Sequence, residues 1–153
     1  MSADGTPKDI VRRFILEGMD NVDESIIKDL CADEVALLGR AGALPSELIL
    51  EQTRKLYDAY SDFSHEIIDI WEDDGKVTVQ YKNTGTFDNT LHIEGDPMFG
   101  DLEVEPTGDQ VEYYGVYLIR VEDGSIVEWM NYSERLQWLQ QIGVLPEMDE
   151  LTA

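Results

Sequence analysis

The sequence predicts an α+β domain in which N-terminal helices wrap a curved antiparallel sheet, forming a cone with a central pocket. Three observations predict it. Apolar residues recur at steps of three and four over 7–18 and 46–60; they alternate singly over 77–87 and again in the later strands; and two acidic-glycine turns join consecutive strands. Helices first and a meander afterwards show no parallel crossover unit, which argues against an alternating α/β plan. A long curved meander needs its apolar face covered, and only the helices can do it, so closure at the wide end leaves a pocket.

Each element has its own signal. Thr6-Pro7-Lys8-Asp9 reads as a helix start, with Thr6 as N-cap, Pro7 at the first helical position and Asp9 three residues after the cap. Ile10, Val11, Phe14 and Ile15 follow at helical spacing, and Gly18 is expected to end the helix. A second helix begins near Asn21 and presents Ile26, Ile27 and Leu30, before a short strand over 35–38 and a glycine-bearing loop over 39–44. Pro45-Ser46 opens a third helix whose Ile49, Thr53, Leu56 and Tyr60 share one face. From Phe63 to Trp71 the chain reads as a strand, turned back by Asp73-Asp74-Gly75-Lys76. In the next strand Val77, Val79, Tyr81, Asn83, Gly85 and Phe87 point one way. Residues 88–108, with two prolines and three glycines, read as an excursion able to close over something. A strand over 111–121, the turn Glu122-Asp123-Gly124-Ser125, a strand over 126–132 and a short helix carrying Leu136, Leu139 and Ile142 complete the domain. Residues 1–6 and 147–153 read as a frayed N-terminus and an acidic tail around one domain at 7–146.

Length supports a single domain, since one core of ordinary size needs roughly 100–150 residues. Thirty-three Asp and Glu against 11 Lys and Arg give a formal charge of -22. That field repels phosphate backbones and anionic membrane surfaces, which excludes nucleic acid and membranes as partners. The acids are spread along the chain and lysine is scarce, the profile of a salt-adapted, halophilic protein whose self-repulsion is screened in concentrated salt. No apolar run approaches the roughly 20 residues of a membrane span, no signal peptide precedes Thr6, and Cys31 is the only cysteine, so a cytoplasmic protein without a disulfide is expected.

Several short motifs, in this order, resemble the SnoaL-like polyketide cyclases and ester cyclases of the nuclear transport factor 2-like superfamily. Asp74-Gly75-Lys76-Val77 with Thr84-Gly85-Thr86 is similar to the family's first hairpin. Pro106-Thr107-Gly108, Gly115 to Arg120 and Asp123 to Glu128 are similar to its final hairpin, and Leu139 to Pro146 to its closing segment. The resemblance implies a cone with an apolar cavity, a homodimer or higher homo-oligomer paired through the sheet, and cofactor-free ring closure of a carbonyl compound by a base that removes a proton beside the carbonyl. A carboxylate in an apolar cavity suits that task. The chain departs from the pattern at two places. Phe87 stands where relatives commonly have His, and Glu134 where they commonly have Asp.

Glu134 is therefore one candidate base, against the alternative that it complements the dipole of the last helix behind Ser133. Glu128, inside the last strand, is a second: either solvent-facing or functional. His92 could reach over a pocket mouth from the excursion, and a plain loop position is its alternative. His65 reads as a satisfied, half-buried strand residue. With two unlinked histidines no metal site is expected. Trp71, Tyr81, Phe87, Tyr117 and Trp129 are candidate pocket residues, alternatively core or dimer interface, because aromatics dominate all three. Two functions follow: an acid/base enzyme acting on a mid-sized apolar carbonyl compound, or a non-catalytic binding or dimerisation module of the same fold.

Overall fold

The computed structural model describes residues 5–37, 43–96 and 100–146; most of the predicted frayed N-terminus, most of the predicted 39–44 loop, residues 97–99 and the acidic tail lie outside them. Helix α1 (Pro7–Arg13) starts as its sequence predicts: the Asp9 amide donates to Thr6 Oγ1 at 3.2 Å and the Thr6 amide donates to Asp9 Oδ2 at 3.3 Å. It does not end at Gly18. A π-helical turn (Phe14–Met19) continues it, closed by the Asp20 amide on the Ile15 carbonyl at 3.1 Å. Gly18 lies inside that turn because α2 (Glu24–Leu30) crosses there: a Cβ on it would stand 3.2 Å from Ile27 and 3.3 Å from Ile26. The cap of α2 is Asp23, whose carboxylate accepts from the Ile26 amide at 3.2 Å. Helix α3 (Ser46–Asp58) buries Ile49, Leu50, Thr53 and Tyr57 on one face.

The main sheet has the order β2 (Ala43–Pro45), β1 (Cys31–Leu37), β8 (Ser125–Ser133), β7 (Gln110–Glu122), β4 (Lys76–Thr86), β3 (Ser64–Asp73). It is curved and unclosed. The meander β3-β4-β7-β8 is antiparallel throughout, whereas β1 joins β8 in parallel, making the sheet mixed. Sequence order hides that pairing, because the intervening chain from β1 to β8 holds the whole meander. Both tight hairpins place an Asp and a Gly at positive φ (Asp74 51°, Gly75 80°; Asp123 50°, Gly124 79°), the conformation whose twist matches the flanking strands. The excursion is more regular than its glycines and prolines suggest: β5 (Leu91–Asp96) and β6 (Gly100–Val104) pair with each other as a separate ribbon.

Alternation fixes the inner face. Val77, Val79, Tyr81, Asn83 and Gly85 of β4 are buried, as are Val111, Tyr113, Tyr117, Ile119 and Val121 of β7, and the helices supply Phe14, Ile15, Ile27 and Ile49 to the same core. Gly115 is required in that layer, since a Cβ there would collide with the Tyr81 hydroxyl. Helix α4 (Arg135–Gln141) seats Leu139 and, just beyond it, Ile142 in the core. No described helix is long and apolar enough to cross a membrane.

Candidate active site

Strand β3 would not point His65 inward if it were regular. Continuing the Asp73–Lys76 pairing residue by residue would set His65 opposite Thr84, on the outward set. Ile68 is instead an unpaired bulge residue: Asp69 pairs with Gln80 and Ile67 with Tyr81, so His65 falls opposite Asn83 and joins the buried face. The His65 side chain is 1% exposed. The π-helical turn supplies its partner, because Asp20 follows directly at the end of the helix.

Asp20 accepts from three donors. The His65 amide reaches Oδ2 at 3.1 Å, while the Tyr57 hydroxyl at 2.5 Å and His65 Nδ1 at 2.7 Å reach Oδ1. An ionised carboxylate only accepts, so it holds the imidazole proton on Nδ1 and leaves Nε2 as the acceptor. Nε2 in turn lies 2.7 Å from the Tyr117 hydroxyl, which donates to it. The result is a chain from Asp20 through His65 to Tyr117. Tyr81 stacks on Tyr117 with centroids 4.3 Å apart, and its hydroxyl donates to Asn131 Oδ1 at 2.6 Å. Burial pushes the Tyr81 phenol up to about 12; burial first, then neighbouring phenols, raises Tyr117 well above the ordinary value; and burial together with the Asp20 charge raises Tyr57. These phenols therefore remain protonated donors at neutral pH.

The chain ends on a cavity of about 420 Å³. Helix α3 contributes Thr53, Leu56 and Tyr57 to its wall, and the sheet contributes His65, Asn83, Tyr113, Tyr117, Trp129 and Asn131. The β5 ribbon closes another side with Leu91 to Glu94, and Arg135, lying 5.7 Å from the Trp138 ring centroid, completes the rim. Among the described residues, two buried side-chain polar atoms have no hydrogen-bond partner, Asn83 Oδ1 and Trp129 Nε1, and both belong to residues of this wall. No group of three or more described His, Cys, Asp or Glu side chains is placed to hold a metal ion.

Of the residues singled out from sequence, Tyr117, Trp129 and His92 line the cavity, and Tyr81 backs it through Tyr117 and Asn131. Phe87 is buried against Tyr60, centroids 5.5 Å apart, and is not in the wall. Trp71 is half exposed on β3 beyond the bulge, opposite outward-facing Thr78. Glu128 pairs with Arg120 at 3.3 Å, and Glu134 accepts from the Tyr114 amide at 2.8 Å; neither reaches the cavity wall. Asp20, Tyr57 and Asn131 carry no motif. His65, read from the sequence as a satisfied, half-buried strand residue, is a fully hydrogen-bonded, buried residue of β3, and a register counted from the turn alone would have set it on the outer face.

A one-sided curved sheet roofed by helices around an interior cavity defines a pocket protein of the α+β cone type. A family model of the SnoaL-like polyketide cyclases matches residues 9–142, and the chain belongs to that family. Solved structures agree on the fold. AclR of Streptomyces galilaeus superposes with a TM-score of 0.74 at 20% identity over 95% of this chain and 86% of its own. TsrD of Streptomyces laurentii gives 0.73 at 16% identity over 90% and 94%, and IdmH of Streptomyces antibioticus 0.69 at 24% over 92% and 100%. No curated protein matches the chain.

Proposed function

We propose that the cavity binds a mid-sized carbonyl compound and that the Asp20–His65–Tyr117 chain moves a proton at the carbon beside the carbonyl. The observation that carries this reading is the unbroken run of two 2.7 Å contacts from a carboxylate to a cavity-wall hydroxyl. A raised phenol cannot act as a free phenolate, so the transfer is concerted. The Tyr117 oxygen takes the substrate proton as its own proton passes to His65 Nε2. The C–H electron pair becomes the enolate, and Asp20 offsets the imidazolium charge. The reverse passage reprotonates carbon; in the ring-closing branch the enolate carbon attacks a second carbonyl of the same molecule, the π pair of that carbonyl moves onto its oxygen, and the alkoxide takes the proton back from His65 through Tyr117.

The test uses β-tetralone in deuterated buffer, with α-deuteration followed by NMR. His65→Gln and Tyr117→Phe should each slow the protein-dependent exchange by at least about 100-fold. Unchanged exchange in both variants, with loss in Glu134→Gln or Glu128→Gln, transfers the base role to the carboxylates that the sequence singled out. Binding without any exchange selects the non-catalytic module, a reading supported by the absence of Glu128 and Glu134 from the wall. The same proposal pairs two copies through the outer sheet face, where Tyr114 and Tyr132 are 43% and 61% exposed. It also reads the charge of -22 as adaptation to concentrated salt.

A further inference from the structure

We infer that Asn131 is a further catalytic residue, whose Nδ2–H donates to the carbonyl oxygen of the ligand as that oxygen gains the enolate charge. The inference rests on the proposal that Tyr117 takes a proton from the carbon beside the carbonyl, and it assigns the group that stabilises the charge left behind.

Removing a proton beside a carbonyl sends the C–H electron pair into a new C=C bond and the carbonyl π pair onto oxygen. A donor already aimed at that oxygen gains strength as the charge develops, and a group of that kind accelerates the step. Asn131 meets the requirements of position, orientation and access. It stands on β8 directly opposite Tyr117 on β7, and directly opposed residues have Cα atoms about 5 Å apart and side chains on the same face. A ligand that presents its α-carbon to the Tyr117 hydroxyl can therefore present the neighbouring oxygen to Asn131. The amide is oriented by Tyr81, which crosses from β4 above Gly115, where a Cβ would collide with its hydroxyl, and donates to Oδ1 at 2.6 Å. Burial keeps that phenol protonated, so turning the amide over would take away the acceptor of the phenol proton. With Oδ1 committed, Nδ2 is the free end, and it has no hydrogen-bond partner among the described residues. Tyr81 and Tyr117 are buried, whereas Asn131 is exposed and part of the cavity wall, which leaves the donor open to a ligand. An amide nitrogen gives up no proton here: Asn131 holds the enolate oxygen by a hydrogen bond, and the transferred proton travels only through Tyr117 and His65.

The test follows α-deuteration of β-tetralone, with β-naphthol, the aromatic enol of the same skeleton, as a probe of the enolate form. Asn131→Asp keeps the acceptor for Tyr81 and loses the donor; Asn131→Ala loses both. Each should lower kcat for exchange by at least about 100-fold while changing KM by less than about threefold, because the neutral ketone is a weaker acceptor than the enolate. The ionisation midpoint of bound β-naphthol, read from its absorbance across pH, should rise by about one pH unit or more in both variants. A purely structural role, exerted through Tyr81, would spare exchange in Asn131→Asp and leave the naphthol midpoint where it was. Either result overturns the inference, as does a protein that exchanges β-tetralone yet does not bind β-naphthol. Exchange at the unmodified rate in both Asn131 variants, with loss in His65→Gln and Tyr117→Phe, removes Asn131 and leaves the proton-transfer proposal standing. If the unmodified protein catalyses no exchange, the two fall together.

Discussion

Asp20 and Glu134 are two carboxylates that each accept a backbone amide, from His65 at 3.1 Å and from Tyr114 at 2.8 Å, yet they do different things. Glu134 follows the part of β8, Glu128 to Ser133, that pairs with β7 without a break, and ties the start of α4 back to β7, with its own amide donating to the Tyr114 carbonyl at 2.9 Å. Asp20 follows a π-helical turn and meets a bulged strand, and its two further donors, Tyr57 and His65 Nδ1, link it to the cavity. The regular surroundings give a structural clamp. The irregular ones give a hydrogen-bonded chain that reaches the cavity wall, in keeping with the concentration of π-turns and bulges at functional sites.

The largest expected effect comes from shifting the register that the bulge sets. Inserting one alanine after Ile68, with a single bulge retained, sets His65 opposite Thr84 and Glu66 opposite Asn83, which turns His65 toward solvent and Glu66 toward the core. Burying an unpaired carboxylate and losing the Asp20 contacts should cost more than about 3 kcal/mol in urea unfolding. If the protein folds at all, α-deuteration of β-tetralone should vanish. An insertion variant of native stability and activity would show that the register of β3 does not set the direction of His65.

The next effect isolates Asp20. Asp20→Ala leaves the Tyr57 hydroxyl, the His65 amide and Nδ1 without their acceptor and should destabilise by about 2–4 kcal/mol, less than the sum of separate bonds because they act as one network. Asp20→Asn keeps an acceptor oxygen but no charge. It should recover part of the stability while leaving exchange activity low, since a neutral amide cannot offset an imidazolium. Full activity in Asp20→Asn would reduce Asp20 to a structural clamp like Glu134 and remove the contrast between them.

How much was legible follows from the same contrast. The capping box at Thr6 and Asp9, the two Asp-Gly turns and the inward set from Val77 to Gly85 are local patterns, and each stands where its residues predict. The parallel pairing of β1 with β8 was not legible, because it joins segments separated by the whole meander. The inward direction of His65 was hidden for a different reason. A bulge shifts side-chain parity by one without leaving a signature residue, Ile68 being an ordinary strand former. Asp20 is one of 33 acids, and only the i→i+5 closure after Ile15 distinguishes it. The aromatic candidates divided by register, Tyr117 and Trp129 reaching the cavity while Trp71 sits beyond the bulge on the outer side.

The smallest effects belong to the two surface-side acids and sharpen the comparison from the other end. Glu134→Ala removes the acceptor for the Tyr114 amide and should cost about 1 kcal/mol, most of it restored in Glu134→Gln, whose amide oxygen can accept the same bond. Glu128→Gln weakens a pair with Arg120 in which both side chains are about one-third exposed, so its effect should stay within about 0.5 kcal/mol. Urea unfolding resolves the first difference, and β-tetralone deuteration should be unchanged in both glutamine variants because neither side chain reaches the cavity wall. A loss of exchange in Glu134→Gln at undiminished stability would mean that the clamp at the head of α4 is also part of the proton path, and the division between regular and irregular surroundings would no longer hold.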